Sequence, residues 1–148
     1  MRARDLMAPF PAVTAATPAI DAARLLARQD LPGLIIVDDA GRPLTILPGT
    51  QVLRMALPAY AVEDPTLAHV VDEASADVFP QGLDGRTVQD ALPEQHRELP
   101  VVHDDATVLE IAALMARTRS PLVAVTAQDG RFLGAVTLSV LMDRVVGT

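Results

Sequence analysis

The side chains able to do chemistry are scattered along the chain. Its three histidines, His69, His96 and His103, match no metal-ligand spacing, so no metal site is expected. The absence of cysteine excludes a thiol nucleophile, a disulfide framework and a cysteine-based zinc site. No Ser/His/Asp set and no pair of carboxylates can be defended as catalytic, and an enzyme is not expected. His103-Asp104-Asp105 stands before an amphipathic stretch, where a carboxylate is expected to cap a helix and favour its macrodipole. Glu63-Asp64 and Asp72-Glu73 read as solvated faces. Thr137 and Ser139 stand where a helix begins, and capping of that helix is expected of both. What remains is chemistry of binding, not of turnover.

The composition bounds the framework that must hold these residues. At 148 residues the chain is one domain or a compact pair of small repeats. It is 50% hydrophobic but only 3% aromatic, so its core is aliphatic. A net charge of −7 argues against nucleic acid as a partner, which would call for a basic patch. No apolar run reaches the length of a membrane span, so no membrane insertion is expected. The N-terminal MRARDLMAPF lacks the apolar region of a secretory signal, and a soluble cytoplasmic protein is expected. All 12 basic residues are Arg, a bias suggesting a GC-rich bacterial genome.

The chain repeats itself. Shifted by 89 residues, Pro11–Met55 lies over Pro100–Arg144 without a gap. The identities include the punctuation residues Pro32/Pro121 and Gly41/Gly130, and also Arg42/Arg131 and Arg28/Arg117. Each copy reads β-α-β-β-α. A short extended piece, Ala12–Thr14 or Val101–His103, comes first. A helix follows, with Ala19, Ala22, Ala23 and Leu26 on one face in copy one. Val108, Ile111, Ala112 and Met115 take those places in copy two. Buried-type strands are expected at Leu34–Val37 and Leu122–Thr126, then turns closed by Gly41 and Gly130. Return strands at Leu44–Leu47 and Phe132–Val136 lead into closing helices, Thr50–Leu57 and Ser139–Val146.

This gives a division into repeat one (1–58), a connector (59–86) and repeat two (87–148), all in one compact module. The connector holds one expected helix, Thr66–Val78, followed by a loop marked by Pro80, Gly82 and Gly85. It is expected to cover an exposed edge of the core. Thr87–Leu92 resembles Ala3–Met7, the lead-in to the first copy.

Asp5-Leu6-Met7-Ala8-Pro9, Asp21–Leu26, Leu31–Asp38 and Gly41-Arg42, with their counterparts Ala106–Met115, Ser120–Val125, Gly130-Arg131 and Gly134–Thr137, resemble the CBS domain. The resemblance implies an α/β (α+β) fold, tandem CBS repeats forming one pseudo-twofold Bateman module that commonly pairs again into a homodimer. It implies a sensory or scaffolding role and no catalysis. It further implies an adenosyl ligand (AMP, ADP, ATP or S-adenosylmethionine) in a cleft between the repeats, and regulation of an enzyme, channel or transporter.

The family's ligand signature is Thr/Ser-x-x-Asp at the junction of the last strand and helix. A carboxylate there can take both ribose hydroxyls, and the helix start suits a phosphate. Copy one has Pro48-x-x-Gln51 and copy two Thr137-x-x-Val140, so neither keeps the carboxylate. The family also places a basic residue before the x-Pro of the central strand. Copy two has Arg119 there and copy one Asp30, which repels phosphate. The candidate ligand residues are therefore Arg119, Pro121, Leu122, Thr137, Ser139, Val101 and His103. Thr14, Pro32, Gly33 and Gln51 form a weaker second half-site. The expected function is a stand-alone regulatory or sensor module acting on a separate transporter or enzyme. The alternative is a dimerisation and interaction module that has lost its ligand.

Overall fold

Helix and strand alternate in the order the repeats predict. The computed structural model describes residues 1–29, 31, 33–57, 66, 82–92 and 98–147. The elements are α1 (Ala3–Leu6), β1 (Ala12–Val13), α2 (Ala19–Gln29), β2 (Gly33–Val37), β3 (Pro43–Pro48) and α3 (Gly49–Ala56), followed by α4 (Val88–Ala91), β4 (Val101–His103), α5 (Val108–Thr118), β5 (Leu122–Thr126), β6 (Phe132–Thr137) and α6 (Leu138–Val146). They form two three-stranded sheets, ordered β1-β2-β3 and β4-β5-β6. The fold is mixed α+β with the β-α-β-β-α order present twice. The expected connector helix lies, apart from helical Thr66, outside the described residues.

β5 shows why these strands read as unbroken apolar runs. It pairs parallel with β4 and antiparallel with β6, and all five of its residues are buried. Ala124 faces Val101 on one side and Ala135 on the other. The turn into β6 closes through Gly130 at φ 91°, and Gly41 at φ 81° does the same in the first repeat. Asp38 tightens that first turn, its Oδ1 accepting the Ala40 and Arg42 amides at 2.9 Å each.

The start of α5 differs from expectation. Its N-cap is Thr107, whose Oγ1 accepts the Glu110 amide at 3.2 Å while Glu110 reaches back to the Thr107 amide at 3.4 Å. Asp104 and Asp105 lie too early to cap it. Gly82, read as loop, is helical together with Leu83. A Cβ on Gly82 would stand 2.7 Å from the Ala56 carbonyl oxygen, so close backbone approach explains this glycine.

The described residues divide into two compact units. The first draws on Met1–Ala12, Ile35–Ile46 and Arg97–Thr148, the second on Val13–Leu34 and Leu47–His96. In the first unit Ile111 and Met115 of α5 pack with Val123, Val125, Val136 and Leu141. Ala3 and Leu6 of α1 belong to that same core. The lead-in is also zipped on by its backbone. The Ala3 and Arg4 amides donate to Ala106 O (2.8 Å) and Asp104 O (3.0 Å), and Ala8 and Ala135 exchange two bonds of 3.0 Å. A second cluster joins Ile35, Val37 and Ile46 of the first hairpin to Leu99, Leu122, Ala124 and Phe132.

In the second unit α4 repeats the pattern of α1. The Val88 and Gln89 amides donate to Thr17 O (2.8 Å) and Ala15 O (3.0 Å). Arg2 and Thr87 each donate an amide at 2.9 Å to an aspartate three residues on, Asp5 and Asp90. The likeness of the two lead-ins in sequence is thus a likeness of contacts.

Candidate functional site

The candidate residues of the second repeat are built around the end of α5. Ser120-Pro121 cannot continue the helix, because proline lacks the N–H and clashes with the preceding turn. The chain reverses at Arg119, which adopts φ 56°, ψ 32°. Among the described residues it is the one non-glycine with positive φ. The conformation costs an L-residue about 1–2 kcal/mol. α6 ends in the same left-handed way, but there the residue is Gly147.

Beyond Arg119 the chain is fixed tightly. Ser120 Oγ donates to Leu122 O at 2.7 Å and accepts the Leu122 amide at 3.3 Å. Buried Leu122 pairs with Thr137 across the sheet. The Leu138 amide donates to Pro121 O at 2.8 Å. Thr137 is the N-cap of α6, its Oγ1 accepting the Val140 amide at 3.4 Å. Of the two expected caps, Thr137 holds the place, and Ser139 lies exposed in the first turn.

Arg119, Pro121, Leu122, Thr137 and Ser139 therefore meet at one end of the sheet. Arg119 stands within about 7 Å, a two-residue reach, of Pro121, whose carbonyl accepts the Leu138 amide at the start of α6. Arg119 is exposed, and its guanidinium has no hydrogen bond or ion pair among the described residues. The first turn of α6 carries no acidic residue. A cationic side chain beside the positive end of a helix dipole suits an anion.

Two other candidates of this repeat lie elsewhere. Val101 is half-exposed on β4, beside Ala124 and two residues into the sheet. His103 pairs with Thr126, at the far end of β5 from Leu122. Four residues of strand separate them, about 13 Å. His103 Nδ1 stands 3.3 Å from both Ala127 O and Thr126 Oγ1. Donation from Nδ1 to the carbonyl ties the hairpin turn to β4. The structure does not bring His103 to Arg119.

Thr14, Gly33 and Gln51 fall in the second unit, while Asp30 and Pro32 lie outside the described residues. The Thr14 hydroxyl and amide are engaged by Thr17 Oγ1, at 3.3 and 3.1 Å. Gly33 is buried at the start of β2. Gln51 lines an open hollow of about 310 Å³ with Thr50, Leu53, Arg54 and Leu57. Sequence reasoning passed over Arg54. The signal was available, since Thr50, Leu53, Arg54 and Leu57 recur at i, i+3, i+4, i+7 on one helical face.

Among the described residues no group of three or more His, Asp or Glu could hold a metal ion. No described helix is long and apolar enough to cross a membrane.

The β-α-β-β-α order is present twice along the chain. The CBS domain family model matches residues 3–54 and 90–147, more than half of the chain. The chain belongs to the CBS domain family. It is 47% identical to a CBS domain-containing protein of unknown function from Kribbella flavida, with TM-score 0.91 and 99% of each chain covered. The CBS-pair protein CBSX2 from Arabidopsis thaliana shares the fold at 19% identity and TM-score 0.71, covering 99% of this chain and 94% of that one. A structure of CBSX2 in complex with AMP matches at 19% identity and TM-score 0.66, with coverages of 99% and 96%. A search of curated proteins gave no match.

Proposed function

We propose that the chain is a cytoplasmic, homodimeric regulatory module. It binds a phosphate-bearing adenosyl ligand at the Arg119 end of the first unit and acts on a separate transporter or enzyme. The observation that carries this reading is the left-handed conformation of Arg119 with its guanidinium unengaged. Residues held in such strain cluster at ligand clamps, where the strain serves the site. Glycine would fill the turn at less cost, as Gly147 does at the end of α6. The place of the ribose carboxylate is taken by Gln51 in one repeat and Val140 in the other, so affinity rests on phosphate more than on ribose. AMP, the ligand held by the related CBSX2 structure, is the first to try. A ligand that prefers one arrangement of the module shifts its population, and the partner reads the shift.

Thermal melts with AMP, ADP, ATP and S-adenosylmethionine test the reading. A ligand at 100 times its dissociation constant stabilises by about 2.7 kcal/mol. If none moves the melt, the sensor reading fails.

One observation favours the second reading, an interaction module without ligand. α6 exposes Leu138, Met142, Val145 and Val146, an apolar face that asks for a protein partner. That reading keeps the dimer and predicts no ligand-induced shift.

A further inference from the structure

We infer that Arg42 and Arg131 form a second anion site, a pair of guanidiniums that holds one phosphate group between them. It lies apart from the Arg119 end, so the two sites stand or fall separately.

The Gly-Arg pair recurs at the 89-residue offset, as Gly41-Arg42 and Gly130-Arg131. Both turns belong to the first unit, and they lie against each other. The Phe132 amide donates to Gly41 O at 2.9 Å. The side-chain contacts are reciprocal. A Cβ on Gly130 would stand 3.4 Å from Arg42 Nε and 3.6 Å from its Cγ, and one on Gly41 would stand 3.6 Å from Arg131 Cγ. Such a bond with reciprocal diagonal contacts is the pattern of an antiparallel pair in which Arg42 and Arg131 stand opposite each other. The matching bond to Gly130 O is ruled out because residue 43 is proline and has no N–H.

Residues so paired have Cβ atoms about 4.5–5.5 Å apart, and like charges there are destabilising. Both arginines are exposed, and neither guanidinium has a hydrogen bond or ion pair among the described residues. The acids of the two turns do not answer them. Asp38 Oδ1 accepts the Ala40 and Arg42 amides, and Asp129 Oδ1 accepts the Arg131 amide at 3.0 Å. Asp39 is exposed and forms no ion pair among the described residues. Two facing cations without a counterion, each a planar fork of donors, match the oxygens of a phosphate dianion. Phe132 pairs with Thr126, at the opposite end of β5 from Leu122, so this site is not the one at Arg119.

Thermal melts of the full chain in sodium phosphate, against sodium chloride of equal ionic strength, test this with Arg42→Gln, Arg131→Gln and Arg119→Gly. Phosphate salts also stabilise proteins generally. Every variant shares that part, so the difference between proteins is the readout. At ten times the dissociation constant the wild type should gain about 3–6 °C more than either glutamine variant. Arg119→Gly should keep the wild-type gain. Arg42→Glu sets opposite charges face to face, so in chloride it should melt about 1–4 °C above wild type. In phosphate it should gain no more than the glutamine variants. Equal gains in the wild type and both glutamine variants, or a gain lost only in Arg119→Gly, overturn the site. Arg42→Glu melting below wild type in chloride overturns the facing of the two arginines. AMP in place of inorganic phosphate separates the sources. An AMP gain that falls in both glutamine variants means that a nucleotide phosphate enters the site. An AMP gain that they keep, beside a phosphate gain that they lose, makes the free ion the ligand.

Discussion

Replacing Arg119 by glycine should make the protein more stable while removing a candidate ligand contact. The residue sits at φ 56°, ψ 32°, where an L-side chain costs about 1–2 kcal/mol. Glycine removes that cost. It also gives the unfolded chain more freedom, which takes back roughly 0.5–1 kcal/mol. The net expectation is a gain of roughly 0.5–1 kcal/mol. For a domain of this size that raises the melting temperature by about 1–4 °C. Arg119→Ala separates backbone from side chain, because alanine keeps the left-handed penalty. Urea unfolding of the wild type and both variants is the assay. The expected order is Gly above wild type, with Ala about equal to wild type. A glycine variant less stable than wild type would show that the arginine makes stabilising contacts in solution, and the strain reasoning would then be wrong.

Three further changes test the framework. Gly134→Ala would put a Cβ 2.7 Å from Ala8 O, so the lead-in must shift. A loss of about 1–3 kcal/mol with faster exchange of the Ala8 and Ala135 amides is expected, and unchanged exchange would contradict the contact. Thr107→Ala removes the α5 cap and should cost about 1 kcal/mol in denaturant unfolding, while no loss would mean that Thr107 is not the working cap. Ile111→Ala, at a fully buried position, should cost about 2–5 kcal/mol, and Leu109→Ala, 78% exposed, about 0.5 kcal/mol or less. Equal losses at the two sites would contradict the assigned helix face.

Much of the fold was legible because its signals are local. The stripe through Val108, Ile111, Ala112 and Met115 states a helix face, and Gly41 and Gly130 state turns. Both were found where the pattern put them. The cap of α5 was misread because a carboxylate at 104 or 105 looks as suitable as a hydroxyl at 107. The difference is one of register, which only the backbone path settles. At the start of α6 the sequence offered two hydroxyls as caps, and the backbone path gives the cap to Thr137 and not to Ser139. Docking of α1 into the core around Ile111 was not legible, since it joins residues about a hundred positions apart. The candidate site was legible as residue types and not as geometry. The order Arg119-Ser120-Pro121 is visible in sequence, but the left-handed backbone is not. Nor does any one-dimensional reading place His103 at the opposite end of β5 from Leu122. The face of α3 was missed because Gln51 drew attention to a single position. The i, i+3, i+4, i+7 run through Arg54 was visible throughout.

Calorimetric titration of the wild-type chain and Arg119→Gly with ATP and adenosine tests the central claim most directly. ATP should bind the wild type, and the glycine variant should lose about tenfold or more of that affinity, the worth of a charged hydrogen bond. Adenosine should bind both proteins alike. No ATP binding to the wild type, or an equal loss for ATP and adenosine in the variant, would contradict a phosphate-binding role for Arg119.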